Sequence, residues 1–143
     1  MRGGEVNMEK ETKIVILTHG GWGCKLVEAL GMVLGEITCT HEIPLLPQYT
    51  FAEYYQMVEE YLSTVSTDSV VITDIFGGTT SNVAAKIGND AGIRVISGLS
   101  APILLEACSQ LQFQNMLDAD QILEIGQGAC KDVVKEVLAA MSK

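Results

Sequence analysis

Lys13-Ile14-Val15-Ile16-Leu17-Thr18-His19-Gly20-Gly21-Trp22-Gly23 is the stretch on which the reading of the fold turns. Its first half is a short β-branched apolar run, the composition of a strand buried on both faces, and its second half breaks into glycines before a segment of helical period. A strand that passes through a glycine turn into a helix is the opening of a βα unit. A second junction of this kind follows Ser69-Val70-Val71-Ile72-Thr73, which runs into Asp74-Ile75-Phe76-Gly77-Gly78-Thr79-Thr80-Ser81-Asn82 and another helical pattern. In open parallel sheets the reactive groups collect at the carboxyl ends of the strands, where loops and helix amino ends meet. His19 and Asp74 both stand at such an end.

Working outward, short β-branched runs alternate with 3.6-period segments from Lys13 onward. A helix over 22–34 carries Leu26, Leu30, Val33 and Leu34 on one stripe and stops at Gly35. A strand over 37–43 is ended by Pro44 and Pro47, and a helix over 50–65 turns Phe51, Tyr54, Tyr55, Val58 and Leu62 inward. A third strand over 69–75, a short helix over 82–88 and a fourth strand over 93–97 follow. Pro102 then suits the first turn of a helix bearing Ile103, Leu104, Leu105 and Ala107. The run over 121–125 reads as a short extra strand, since its apolar residues do not fit a long helix before Gly126 and Gly128. Residues 131–141, with Val133, Val134, Val137 and Leu138, close the domain as an amphipathic helix. The expected fold is a single doubly wound α/β domain over 12–143, with helices on both faces of a mainly parallel four-stranded sheet and an antiparallel edge strand added at 121–125. Residues 1–11, polar and without apolar period, read as a disordered leader.

With 143 residues, 48% of them hydrophobic, the chain has enough apolar surface for a core without metal or disulfide staples. A formal net charge of −9 and only nine Lys and Arg argue against nucleic acid and anionic membrane surfaces as partners. Cys24, Cys39, Cys108 and Cys130 form no C-x-x-C and read as reduced thiols. A metal shared by His19 and Cys24 has little support, so no metal and no cofactor are expected. No apolar run approaches the roughly 18 residues of a membrane span, and no secretory signal pattern opens the chain. A cytoplasmic location is the expectation.

Passing a phosphoryl group between proteins without hydrolysing it needs a nucleophile that forms a labile bond, a group that orients it, and donors for the phosphoryl oxygens. A neutral imidazole attacks through one ring nitrogen and yields a reactive phosphoramidate, which makes His19 the candidate nucleophile. Asp74, at the end of a neighbouring strand, is the candidate acceptor for the proton on the other nitrogen. Gly77, Gly78 and Thr79 let backbone amides and a helix amino end approach an anion without fixed positive charge. Thr79 or Thr80 adds a hydroxyl donor or caps the helix. Plainer readings stand beside these: His19 as a structural histidine, Asp74 as a turn or cap residue, Trp22 as a packing or rim residue, His41 as a solvated strand position, and Glu53, Glu59 and Glu60 as the wet face of a helix. A P-loop is disfavoured, because no G-x-x-x-x-G-K-[ST] run occurs.

Together with Ser97-Gly98-Leu99-Ser100-Ala101-Pro102-Ile103-Leu104-Leu105-Glu106, the two loops fall in an order and spacing that resembles the IIA component of the mannose/fructose/sorbose family of the phosphoenolpyruvate-dependent sugar phosphotransferase system (PTS). The likeness runs from Lys13 nearly to the C-terminus. It implies a transferase and phosphoprotein in which His19 takes a phosphoryl group from the phosphocarrier protein HPr and passes it to the IIB component. IIB in turn phosphorylates a sugar entering through the membrane permease IIC/IID. It also implies that Asp74 pairs with His19, that Gly77 to Thr79 surround the phosphoryl group, and that the chain forms a homodimer, with a strand near 121–125 on the sheet edge or crossing to the partner. Three positions depart from the family pattern: Thr80 in place of a common proline, Ser100 in place of a common asparagine, and the variant Gly21-Trp22 after the His-Gly pair. The alternatives are a phosphoryl-donor subunit for dihydroxyacetone kinase and a phosphohistidine regulatory module.

Overall fold

Along β1 (Ile14–His19) successive side chains go to opposite faces of the sheet, as the two-residue strand period requires. Ile14 and Ile16 belong to one hydrophobic cluster, and Val15 and Leu17 to the other. All four are fully buried, which accounts for the unbroken apolar run. The computed structural model describes residues 9–142. The expected leader falls mostly on residues 1–8, outside the described residues, while the Glu11 carbonyl accepts a bond from the Ser66 amide at 2.9 Å.

The chain continues through α1 (Gly23–Leu34), β2 (Thr40–Leu45), α2 (Phe51–Leu62), β3 (Val70–Thr73), α3 (Thr79–Ala91), β4 (Arg94–Ile96), α4 (Ala101–Gln114), α5 (Ala119–Gly128) and α6 (Val133–Met141). The sheet is parallel throughout, in the order β2-β1-β3-β4. Helices α1, α4 and α5 cover one face through Leu30, Ile103, Leu104, Ala107, Cys108 and Ile122. Helices α2 and α3 cover the other through Tyr54, Val58, Leu62, Val83, Ala84 and Ile87. The chain steps one way from β1 to β2 and the other way from β2 across to β3. The carboxyl ends of β1 and β3 therefore flank the point where the winding reverses, the place where such sheets bind ligands.

Sequence and structure part company at several elements. The run over 121–125 is not a strand but the middle of α5. Asp118 caps that helix by accepting the Gln121 amide at 3.2 Å, and Ala119 and Ile122 are buried while Leu123 and Ile125 face out. A three-residue spacing of buried positions, not alternation, governs the segment. Gly126 belongs to the same packed side, since a Cβ there would stand 2.5 Å from Ile103 Cδ1. The second strand begins later than expected and runs through Pro44, opposite Thr18. As the outermost strand it has no second neighbour for the amide proline lacks. Phe51, expected inward, is 57% exposed, because Tyr54, Val58 and Leu62 already fill the buried stripe of α2. Helix α6 forms where expected, yet Val133, Val134, Val137 and Leu138 are all exposed, so it does not close the core. Among the described residues no helix is long and apolar enough to cross a membrane, and all four cysteines are free thiols.

Candidate functional site

His19 ends β1 and Asp74 follows β3, so the pairing of these two strands brings the residues together across 55 positions of sequence. The Asp74 amide donates to the Leu17 carbonyl at 3.1 Å, extending the ladder one step and fixing where its side chain starts. The carboxylate then meets the imidazole: His19 Nδ1 lies 2.9 Å from Oδ2 and 3.2 Å from Oδ1. The His19 backbone amide donates to Oδ2 at 2.7 Å, and the Thr80 hydroxyl donates to Oδ1 at 2.8 Å. The Trp22 indole Nε1–H donates to Oδ2 at 3.4 Å.

Burial works to raise the Asp74 carboxyl, but the bonds from the His19 amide, the His19 ring and the Thr80 hydroxyl, with the charge of the ring, outweigh it and hold the acid below its ordinary value. Asp74 is thus a carboxylate at neutral pH. A carboxylate only accepts, so the shared proton sits on Nδ1 and the lone pair of Nε2 is left facing away from the acid. The environment is asymmetric in the sense a nucleophile needs. The Asp74 side chain is 2% exposed, whereas that of His19 is 43% exposed.

Gly78 approaches the other side of the ring. A Cβ at this position would stand 3.2 Å from His19 Cε1 and 3.7 Å from Nε2, so glycine lets the backbone come this close without displacing the ring. Gly78 is also the N-cap of α3 and offers no side-chain cap, so neither Thr79 nor Thr80 is the cap. The amides at the start of that helix have no acceptor within it and carry the positive end of its dipole. Gly77 precedes it in a turn with φ of 88°. The turn is braced from below. Ser81 donates to the Ile75 carbonyl at 2.6 Å, which leaves the Thr73 hydroxyl to donate to Ser81 Oγ at 2.6 Å.

Of the expected set, Asp74 and Gly78 approach the His19 ring, Thr80 bonds Asp74, and Gly77 and Thr79 flank Gly78 in the chain. The Thr80 side chain is spent on Asp74 and is fully buried, so what Thr80 offers an anion is its backbone. Two contributors were missed. Trp22 reaches the carboxylate, and Glu42 from β2 accepts both the Thr18 hydroxyl and, at 2.8 Å, the Gly23 amide, tying the end of β1 to the start of α1. The unusual tryptophan at a helix start was a signal for the first; Glu42 had none, because its position depends on the pairing of β2 with β1. Among the described residues no lysine or arginine joins these contacts. Lys25 is exposed and paired with Glu28 at 3.2 Å. Among the described residues no group of three or more His, Cys, Asp or Glu side chains is placed to hold a metal ion. Beside His19 an open groove of about 520 Å³ is lined by Gly20, Leu45, Leu46, Pro47 and Tyr49.

The family model described as PTS system fructose IIA component, EIIA-man, matches residues 13–123. Among solved structures, the phosphotransferase system component EIIA from Streptococcus agalactiae is similar with a TM-score of 0.77 at 21% identity, covering 87% of this chain and 98% of that one. The PTS IIA protein associated with the fucose utilization operon of Streptococcus pneumoniae gives 0.72 at 20% identity, covering 90% and 98%. The mannose/sorbose-specific IIA subunit from Enterococcus faecalis gives 0.72 at 20% identity, covering 85% and 93%. At such identities the likeness speaks for the fold alone. A sequence comparison with curated proteins finds no match.

Proposed function

The chain belongs to the EIIA-man family of PTS IIA components, which gives it a phosphotransfer role in sugar uptake; from that premise we propose that His19 is the phosphoryl carrier, charged by phospho-HPr and discharged to the IIB component. The observation that carries this reading is the 2.9 Å contact between Nδ1 and a buried carboxylate on a side chain that is itself 43% exposed. In the forward step the Nε2 lone pair forms the bond to phosphorus as the donor's N–P bond breaks, and the donor imidazole leaves with the electron pair. Nδ1 keeps its proton throughout. The ring becomes positively charged, and Asp74 stabilises that charge through the same hydrogen bond. Amides at the start of α3, with Gly77, Gly78, Thr79 and the backbone of Thr80, receive the phosphoryl oxygens. Delivery reverses the bond changes with a histidine of IIB as the new acceptor.

The absence of a cation from these contacts suits a carrier, because oriented amides stabilise the phosphoryl group less strongly than a cluster of fixed charges would. We assign residues 12–143 to this one domain, place it in the cytoplasm with HPr and IIB, and take it to act as a homodimer that serves a sugar permease without contacting nucleic acid. Exposed Met32, Val33, Phe113 and Met116, with the apolar side of α6, supply uncovered surface of the kind a dimer buries. The test is incubation with phosphoenolpyruvate, the first enzyme of the system and HPr. Wild type should acquire about one acid-labile phosphate per chain, as one nucleophile allows, and His19→Ala none. Adding the cognate IIB should discharge the label within seconds. Label that persists on His19→Ala removes His19 from the mechanism, and label that IIB cannot take makes the chain a reporter, not a carrier.

A further inference from the structure

Trp22 stands at a position that its side chain does not serve. It is the N-cap of α1, where Ser, Thr, Asp and Asn prevail because a short side-chain oxygen takes up an orphan amide, and its own side chain makes no cap bond. Glu42 does that work from the neighbouring strand by accepting the Gly23 amide. Gly23 is shaped for the arrangement, since a Cβ there would stand 2.6 Å from the same carboxylate oxygen. With the helix capped by another element, the indole is free for a different partner. Gly20 and Gly21, at φ of 80° and 85°, turn the chain through the left-handed region so that Trp22 folds back towards β3. Its Nε1–H there donates to Asp74 Oδ2. A residue that breaks a local preference while another element makes good the loss marks a place where something besides folding is served.

We propose that Trp22 is a positioning residue for phosphoryl transfer, acting through Asp74. The inference rests on the reading of His19 as the carrier. Oδ2 is the carboxylate oxygen nearest the Nδ1 proton, and it also accepts the His19 amide at 2.7 Å. The indole N–H is its third donor. An oxygen held from three directions keeps its aim while the ring gains charge on phosphorylation and loses it on delivery. Trp22 is 43% exposed, so a docking role for its ring face has to be told apart from the action of its N–H.

Trp22 is the only tryptophan in the chain, so its indole N–H gives a single side-chain signal in a ¹H–¹⁵N spectrum. That signal should move in Asp74→Asn, where a charged acceptor becomes neutral; a signal that stays in place overturns the proposal, whether or not His19 takes phosphate. Trp22→Phe keeps an aromatic ring and removes the donor. It should slow phosphoryl acceptance at saturating phospho-HPr about 3- to 10-fold, with apparent KM unchanged. An unchanged rate overturns the proposal, and so does an effect confined to KM, which would make Trp22 a docking residue. Failure of wild type to accept phosphate defeats the reading of His19 instead, and the Asp74→Asn spectrum still decides the hydrogen bond.

Discussion

Asp74→Asn keeps the shape of the side chain and one acceptor oxygen while removing its charge. Nothing among the described residues replaces that charge, because the carboxylate is 2% exposed and no lysine, arginine or second acid among them shares its contacts. In the phosphorylated state the imidazole is cationic, so the Nδ1–H to Oδ2 bond, at 2.9 Å, is charge-assisted at both ends. Hydrogen bonds involving charged groups contribute about 1.5–3 kcal/mol. Since roughly 1.4 kcal/mol is a factor of ten in rate, losing that contribution in the transition state should slow acceptance about 10- to 150-fold. The nucleophile remains, so the final stoichiometry should be unaltered. The assay is rapid quench with radiolabelled phosphoenolpyruvate, excess first enzyme and excess HPr, counting acid-labile label against time, with circular dichroism to confirm the fold. An Asp74→Asn rate within about 3-fold of wild type, less than the smallest charged bond supports, would refute the argument that the acid stabilises the charged ring.

Other substitutions separate site from scaffold. Gly78→Ala places a methyl group 3.2 Å from His19 Cε1 and 3.4 Å from the Ile75 carbonyl, so the ring must move by a few tenths of an ångström. Acceptance should fall about 10-fold through misalignment, while the thermal midpoint stays near that of wild type, since a backbone φ of −85° suits alanine. Tyr54→Phe removes a buried bond of 2.6 Å to the Ile43 carbonyl and should cost about 1–2 kcal/mol in urea unfolding with no change in phosphorylation. Asp74 makes the stability depend on pH in a defined direction. Its folded-state acid lies below the ordinary value of 3.8, so its contribution is present above that pH and is lost as pH falls through the folded value. Acid unfolding curves of wild type and Asp74→Asn should therefore converge below pH 3.8.

How far the chain could be read from its residues follows from how local each signal was. Ile14 to Leu17 and Val70 to Ile72 are apolar without interruption because both faces of β1 and β3 are covered, and that alone placed His19 and Asp74 at the ends of central strands. The Gly-Gly-Thr turn announced a helix, but α3 begins at Thr79 and ends at Ala91, longer at both ends than the expected 82–88, because the helix starts directly at the glycine N-cap. Residues 121–125 misled because a short apolar run fits a strand or one side of a helix equally, and the deciding contact, Gly126 against Ile103, lies in another element. Pro44 looked like a terminator, yet an edge strand tolerates it. Thr80 was read as a ligand for the anion, and its burial against Asp74 depended on how α3 docks on β3. Glu42 went unnoticed because capping is ordinarily sought within a few residues of the helix, and here it comes from 19 positions away.

The central claim is that Asp74 holds the proton on Nδ1 and so directs the phosphoryl group to Nε2. The most direct measurement is ¹H–¹⁵N and ³¹P spectroscopy of the phosphorylated protein labelled in its histidine rings. The account expects a phosphorus-coupled resonance at Nε2 of His19, with a retained proton at Nδ1. A phosphoryl group on Nδ1, or on a residue other than His19, would contradict it.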